Sequence, residues 1–350
     1  MSGGTVETVA AREVLPHAHR GAVLSAGLGI TLVALVAVCV ASIAVGAKDL
    51  PLSTVWHALS AYDGSVDHMI VRSYRIPRTL LGVLAGVALG AGGTLIQAMT
   101  RNPLADPGVL GVNAGAAFAV TIAVGVFGLT GFSSYVWFAF LGAVVVTVVV
   151  YRLGSLGRGG ATPIRLTLAG IAVGAVLSGV NRGLPLLNAK AFDTMRAWHA
   201  GSLSVQGMDI VLALAPFVLT GLALAVWVAR SLNAVALGDD LAAALGVHVA
   251  RTRALGVVAL TLLCGAATAA AGPIGFVGLM VPHVARWIVG PDQRWILVHS
   301  LVGAPVLLLA SDVVGRIVVR PDEMPAGVVT AFLGAPVLVW LVRREQAAGL

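Results

Sequence analysis

The chain has 350 residues, 58% apolar and 11% charged, with a mean hydropathy of +0.97. A soluble domain carries about a quarter charged residues, so this composition excludes one, and recurrent apolar runs of about 18 residues or more define a polytopic membrane protein. The net charge of +7 is read as basic loops that orient a membrane chain rather than as nucleic-acid binding.

The polar opening, "MSGGTVETVAAREVLPHAHR", has no secretory signal, and residues 1–21 are expected to form a cytoplasmic tail. The next apolar run, 22–45, is too long for a signal core and reads as a retained first span. Nine more follow near 78–99, 108–127, 134–151, 166–182, 208–229, 254–271, 274–289, 295–318 and 326–342, each placed by length and hydropathy. The eighth is expected to be short because "AAAGPIGFVG" breaks the helix before it. Cys39 and Cys264 both lie inside spans and make neither a disulfide framework nor a metal site.

An even number of spans puts both termini on one side. With the termini inside, the cytoplasmic segments hold Arg12, Arg101, Arg158, Arg253 and others, 13 of the 22 basic residues. The bias supports cytoplasmic termini. It is diluted by an outward set that includes Arg72, Arg75, Arg78, Arg182, Arg196, Arg316 and Arg320.

Between the second and third spans stands "TRNPLADPG", residues 100–108. Each X-Pro step drives Asn102 and Asp106 away from the helical region, so helix cannot run through. Gly82, Gly86 and Gly90 before this turn and Gly111 and Gly115 after it have helical spacing for close packing, which predicts that the second and third spans pack tightly on each other. Further on, "ALGDDLAAALGV" reads as a short helix held off the membrane. Asp239 and Asp240 favour its N-terminus, Ala243 and its neighbours favour helix, and Gly246 stops it. Gln97, Asn113, Ser178 and Asn181 are polar groups within spans, each either lining a pathway or bonding a neighbouring helix. His283 stands alone, with no second His, Cys or carboxylate at ligand spacing, so no metal site is expected. Neither lysine, Lys48 nor Lys190, lies in a phosphate-binding loop. ATP and its magnesium, if used, must be bound by another chain.

The block "RIPRTLLGVLAGVALGAGGTLIQAMTRNPLADPGVLGVNAGA" resembles the signature of the FecCD-type permeases, the transmembrane subunits of type II ATP-binding-cassette importers for iron–siderophores, haem and cobalamin. The resemblance continues in order through "LTLAGIAVG", "ALGDDLAAALGV", "GPIGFVGLMVPHVAR", "SDVVGR" and "MPAGVVTAFLGAPVLVWLVRR", from about residue 50 onward. It implies an all-α fold of about ten membrane helices in one permease domain. It also implies a second permease subunit, the same or homologous, cytoplasmic ATPase subunits, and an extracytoplasmic binding protein, all in or at the bacterial plasma membrane.

By the same resemblance Leu237, Gly238, Asp239, Asp240, Ala243, Leu245 and Gly246, within the cytoplasmic segment 230–253, form the helix that couples to the ATPase. Arg75, Arg78 and Arg316 become candidates for docking the binding protein. Asp312, one turn before Arg316, leaves structural pairing equally open. Gln97 and Asn113 are assigned to the translocation pathway, and Thr162 and Pro163 to an inner gate. The resemblance implies a transport subunit rather than an enzyme, with ferric siderophore as cargo and haem or cobalamin as alternatives. An ion-coupled secondary transporter is the rival of another class. It calls for ionisable groups near the membrane midplane, whereas Asp312 is the one acidic residue well inside a predicted span and lies toward one end of it.

Overall fold

Long apolar runs punctuated by Gly, Pro and Asn leave the backbone one way to satisfy its polar groups in lipid, which is to hydrogen-bond within each run as helix. The computed structural model describes residues 17–46, 48–129, 131–156, 162–187 and 189–348, and among them every regular element is helical. Residues 1–16 of the expected tail, Arg12 within them, and Arg158 in the 152–165 loop lie outside the described residues.

In chain order the helices are α1 (His17–Ala44), α2 (Leu52–Ser60), α3 (Val66–Ile70), α4 (Ile76–Thr100), α5 (Val112–Gly125), α6 (Phe132–Ser155) and α7 (Pro163–Gly183). Then come α8 (Ala189–His199), α9 (Asp209–Ala236), α10 (Asp239–Ala244), α11 (Val249–Ala271), α12 (Val277–Val289), α13 (Gln293–Val318) and α14 (Ala326–Ala348). Among the described residues seven stretches are long and apolar enough to cross a membrane, and α5, α12 and the apolar part of α14 are shorter apolar helices. Together they are the ten expected spans, and α12 is indeed short.

The second span starts earlier than the sequence predicts. It runs from Val66 through a π-helical turn, Val71–Arg75, into α4. The π turn sits just ahead of Pro77, which has no N–H to return to the backbone. The Ser73 carbonyl accepts instead from the Gly207 N–H at 2.8 Å.

The glycine ridge of α4 corrects a second expectation. Gly82, Gly86 and Gly90 face α13, not α5: a Cβ on Gly86 would lie 2.5 Å from the Pro305 Cα, and one on Gly90 the same distance from the Ser300 carbonyl oxygen. Gly115 of α5 meets α6 at Gly142 and Val146. Small residues thus let backbones touch where lipid supplies no hydrophobic drive, but α4 lies between α11 and α13 while α5 pairs with α6. α4 and α11 form the centre, each with 78% of its apolar window buried. α1 and α7 lie at the periphery, with 6% and 11%.

The chain alternates between two ends of this bundle. At one end lie the α4–α5 turn, α10 and the α12–α13 junction, where the Asn233 amide donates to Asp292 and its carbonyl accepts from the Gln293 N–H. The other end holds the C-terminus of α1, the starts of α4 and α14, and the C-terminus of α13.

Candidate functional site

At the end bearing Arg316, the last carbonyls of α1 lack intrahelical donors, as at any helix C-terminus. Arginines from distant spans supply them. Arg316 Nη1 donates to the Ser42 and Val45 carbonyls at 2.8 and 2.9 Å, and Nη2 to Ser42 Oγ at 2.9 Å. Arg75 Nη1 donates to the Ile43 and Ala44 carbonyls at 2.7 and 2.6 Å, and Nη2 to that of Lys48. Asp312 anchors the centre. It takes Arg78 through Nε and Nη2 at 3.0 and 2.8 Å, and Arg316 Nη2 at 3.0 Å. Arg78 Nη1 also reaches Glu323 at 2.6 Å.

Arg75, Arg78 and Arg316 are all buried, Arg316 to 1% exposure. The expectation that they present free charge to a binding protein is therefore corrected. Their guanidiniums hold α1, α4 and α13 together, and Asp312, fully buried, is their counter-charge rather than a midplane ion relay. The pairing that the sequence left open is the one formed. Among the outward cations, Arg72 donates to the Ala58 and Leu59 carbonyls at the end of α2, and Arg320 pairs with Asp49 at 2.7 Å. Arg320 holds the exposed Asp49 carboxyl below its ordinary range.

A groove of about 610 Å3 opens along α7 on the same half of the molecule. Its walls are Asn113, Ala114 and Ala117 of α5, Gly174, Ser178, Asn181 and Arg182 of α7, Phe192, Met195, Arg196 and His199 of α8, and Pro273. This volume suits a small-molecule site. Asn113 accepts from the Thr268 hydroxyl at 3.0 Å, and the Asn181 amide donates to the Ala114 carbonyl at 3.4 Å, so both are braced from behind. Partial burial pushes the His199 imidazole below its ordinary value.

The sequence-predicted pathway residues separate. Asn113 lines the groove with Ser178 and Asn181. Gln97 does not: it is buried between α4 and α12, its Nε2 donating to the Leu279 carbonyl at 2.8 Å, and it lines a separate cavity of about 300 Å3 near Arg101. Thr162 caps α7 by accepting from the Arg165 N–H at 3.5 Å, with Pro163 in the first turn, at the opposite end of α7 from Arg182. Neither lines the groove. Sequence reasoning did not assign Arg182, Arg196 and His199 to a site. The surplus of outward cations was the signal that pointed to two of them.

At the far end α4 closes in a Schellman motif. The Arg101 N–H bonds the Ala98 carbonyl and the Asn102 N–H that of Gln97, with Arg101 itself left-handed at φ 52°. Asn102 Oδ1 then accepts from the Leu104 N–H at 2.9 Å, and Asp106 Oδ1 from the Gly108 N–H at 2.7 Å, so side chains fix both X-Pro steps. α10 follows a backbone reversal at Gly238, φ 121°, which needs glycine, and ends at Gly246, φ 81°.

Only Ala242 of α10 is buried. Leu237, Leu241 and Leu245 are 64%, 49% and 61% exposed, with Asp240 and Ala243 also at the surface. The expected capping role of Asp239 gives way to a stronger one. Its carboxylate binds Arg101 of the α4 cap and Arg253 of α11, the latter at 2.9 Å. His283 is buried in α12 with its ring edge-on to Trp287, 5.3 Å between centroids.

Residues 34–344 match the FecCD transport family. The chain is 48% identical over 322 residues, 92% of its own length and 96% of the relative's, to the ferric enterobactin transport system permease protein FepD of Escherichia coli (strain K12). It is 37% identical over 310 residues, 89% of the chain and 93% of the relative, to the probable siderophore transport system permease protein YfiZ of Bacillus subtilis (strain 168). It is 35% identical over 329 residues, 92% and 97%, to the hemin transport system permease protein HmuU of Yersinia pestis. Among solved structures, an inward-facing one assigned to the metal-chelate type of ABC transporter superposes with a TM-score of 0.79. That match has 25% identity and covers 91% of this chain and 99% of the other.

Proposed function

The chain belongs to the FecCD transport family, and from that membership we propose that it forms the translocation pathway of an ATP-driven importer of ferric siderophores. It is a multi-pass transport subunit and not an enzyme; hydrolysis belongs to a separate ATPase. The observation that carries the cargo is the 48% identity, over nearly the whole chain, to a ferric enterobactin permease.

The geometry supports a division of labour. The groove opens at the Arg316 end, and α10 stands at the other. In this reading an extracytoplasmic binding protein delivers the chelate to the groove end and cytoplasmic ATPase subunits seat α10, the chain lying in the plasma membrane with both termini cytoplasmic. The groove is partly open, and α7, which lines it, carries exposed Ile164, Leu168, Ile171 and Val176. A second permease subunit, the same or homologous, closes it.

Three exposed leucines on and flanking α10, Leu237, Leu241 and Leu245, fit an apolar cleft on the ATPase. Motion of that cleft reaches Asp239, and through Arg253 and Arg101 it reaches α11 and α4, the two most buried spans. A rigid path from a surface helix to the core is what alternating access driven by a partner requires.

Uptake of radio-iron as ferric siderophore, in cells with and without this chain and with its ATPase present in both, tests the reading. Loss of uptake on deletion is expected. Unchanged ferric-siderophore uptake overturns the cargo.

A further inference from the structure

The α7 end of the groove carries charge that packing does not use. Arg182 stands at the C-terminus of α7, and Arg196 and His199 on α8; all three line the same cavity with Phe192, Met195 and Asn181. Among the described residues no acidic side chain lines it. The nearest carboxylate to Arg196 is its own helix neighbour Asp193, at 3.7 Å with both side chains more than two-thirds exposed, a pair worth little in water. Arg182 has no ion pair among the described residues. These arginines contrast with Arg75, Arg78 and Arg316, whose donors are taken up inside the fold.

We propose that Arg182 and Arg196, with His199 between polar and aromatic walls beside them, form an electropositive entry collar that admits ferric chelates of net negative charge in preference to neutral or cationic ones. The inference deepens the reading of the groove as the chelate pathway and rests on it.

The physical case has three parts. First, position: α7 runs from Thr162 at the Arg101 end to Arg182 at the opposite end, where the binding protein delivers its cargo, so the charges stand at the entrance. Second, field: a cleft of one sign of charge between low-dielectric walls concentrates counter-charged solutes and speeds their entry. Arginines that merely snorkel to headgroups would lie on the lipid-facing side, whereas these face the cavity that Asn113 and Ala117 also line.

The third part is chemistry. Three catecholate dianions on ferric iron leave three net negative charges. Three hydroxamates leave none. A collar of two guanidiniums, repeated on a second subunit, therefore separates these two chelate classes by charge. Partial burial lowers the basicity of His199, which favours its role as a hydrogen-bonding ring over that of a third charge.

The test uses the complete importer, with its ATPase and binding protein, reconstituted in liposomes. Uptake of a ferric tris-catecholate is followed for the wild type, for Arg182→Gln with Arg196→Gln, and for Arg182→Lys with Arg196→Lys. The double Gln variant is expected to lose about tenfold or more in uptake rate, and the Lys variant to keep at least half. Raising salt from about 50 to about 500 mM should slow the wild type and leave the Gln variant's rate unchanged, because screening acts only on charges that are present. Equal uptake by wild type and Gln variant overturns the collar while leaving the function standing. So does a Lys variant that falls as far as the Gln variant, since shape rather than charge would then be at work. A wild-type complex that moves no ferric chelate overturns both.

Discussion

Asp239, the first residue of α10, holds Arg101 and Arg253 with one carboxylate oxygen, and so ties the surface helix to the C-cap of α4 and the N-terminal part of α11. The turn "TRNPLADPG" is thereby more than a connection between spans. Its Schellman cap places Arg101 in the left-handed region, and the Arg101 side chain reaches α10 at Asp239.

Replacing Asp239 with Ala removes the acceptor shared by these two arginines while leaving Leu237, Leu241 and Leu245 in place. Charge-assisted hydrogen bonds contribute about 1.5–3 kcal/mol, and partial exposure reduces that. The expected outcome is an uncoupled complex: the ATPase still co-purifies and turns over, while chelate uptake falls about tenfold. Parallel assays of hydrolysis and uptake on one preparation check it. Equal losses in both would mean that Asp239 serves assembly instead.

The leucines should behave in the opposite way. Burying a leucine stabilises a contact by about 1.5–3 kcal/mol. Leu241→Asp with Leu245→Asp should therefore weaken ATPase association by about a hundredfold or more, without lowering the thermal stability of the isolated permease. Pull-down against the ATPase, with a melting curve alongside, separates the two effects.

Arg316→Met bears on the correction of the docking arginines. It leaves Ser42 and Val45 carbonyls without donors and Asp312 with Arg78 alone. Breaking a buried charge pair by removing one partner costs about 3–5 kcal/mol. The detergent-solubilised permease should melt well below the wild type, yet bind the substrate-binding protein with unchanged affinity wherever it remains folded. A selective loss of that affinity at unchanged stability would restore the docking role.

Much of this architecture is legible in the sequence, because membrane spans are set by local length and hydropathy. Ten spans, the short α12 and the helix at 239–244 follow from runs of residues that lie side by side. What escapes is the partner of each contact. Nothing near Arg316 in sequence reveals that it caps α1, about 270 residues earlier, and a glycine ridge has no label saying which helix it touches. Gln97 and Asn113 look alike as lone amides in apolar runs. Only the fold turns one into a tie between α4 and α12 and the other toward the groove.

The glycine contacts give the sharpest stability contrast. A Cβ on Gly86 would meet Pro305 backbone at 2.5 Å, and backbone cannot swing aside as a flexible side chain does. Gly86→Ala therefore forces α4 and α13 apart along their whole seam, and overpacking of this kind costs about 1–3 kcal/mol. Gly29, on the lipid-facing α1, has nothing within 4 Å of its ideal Cβ. There the same substitution adds a methyl group to open surface and removes the helix penalty of glycine, about 1 kcal/mol. Thermal melts of the two variants in identical detergent should therefore shift in opposite directions, Gly86→Ala down and Gly29→Ala level or up. Equal shifts would mean that the α4–α13 seam is looser than its backbone contacts require, and that close approach of these two helices does not organise the core.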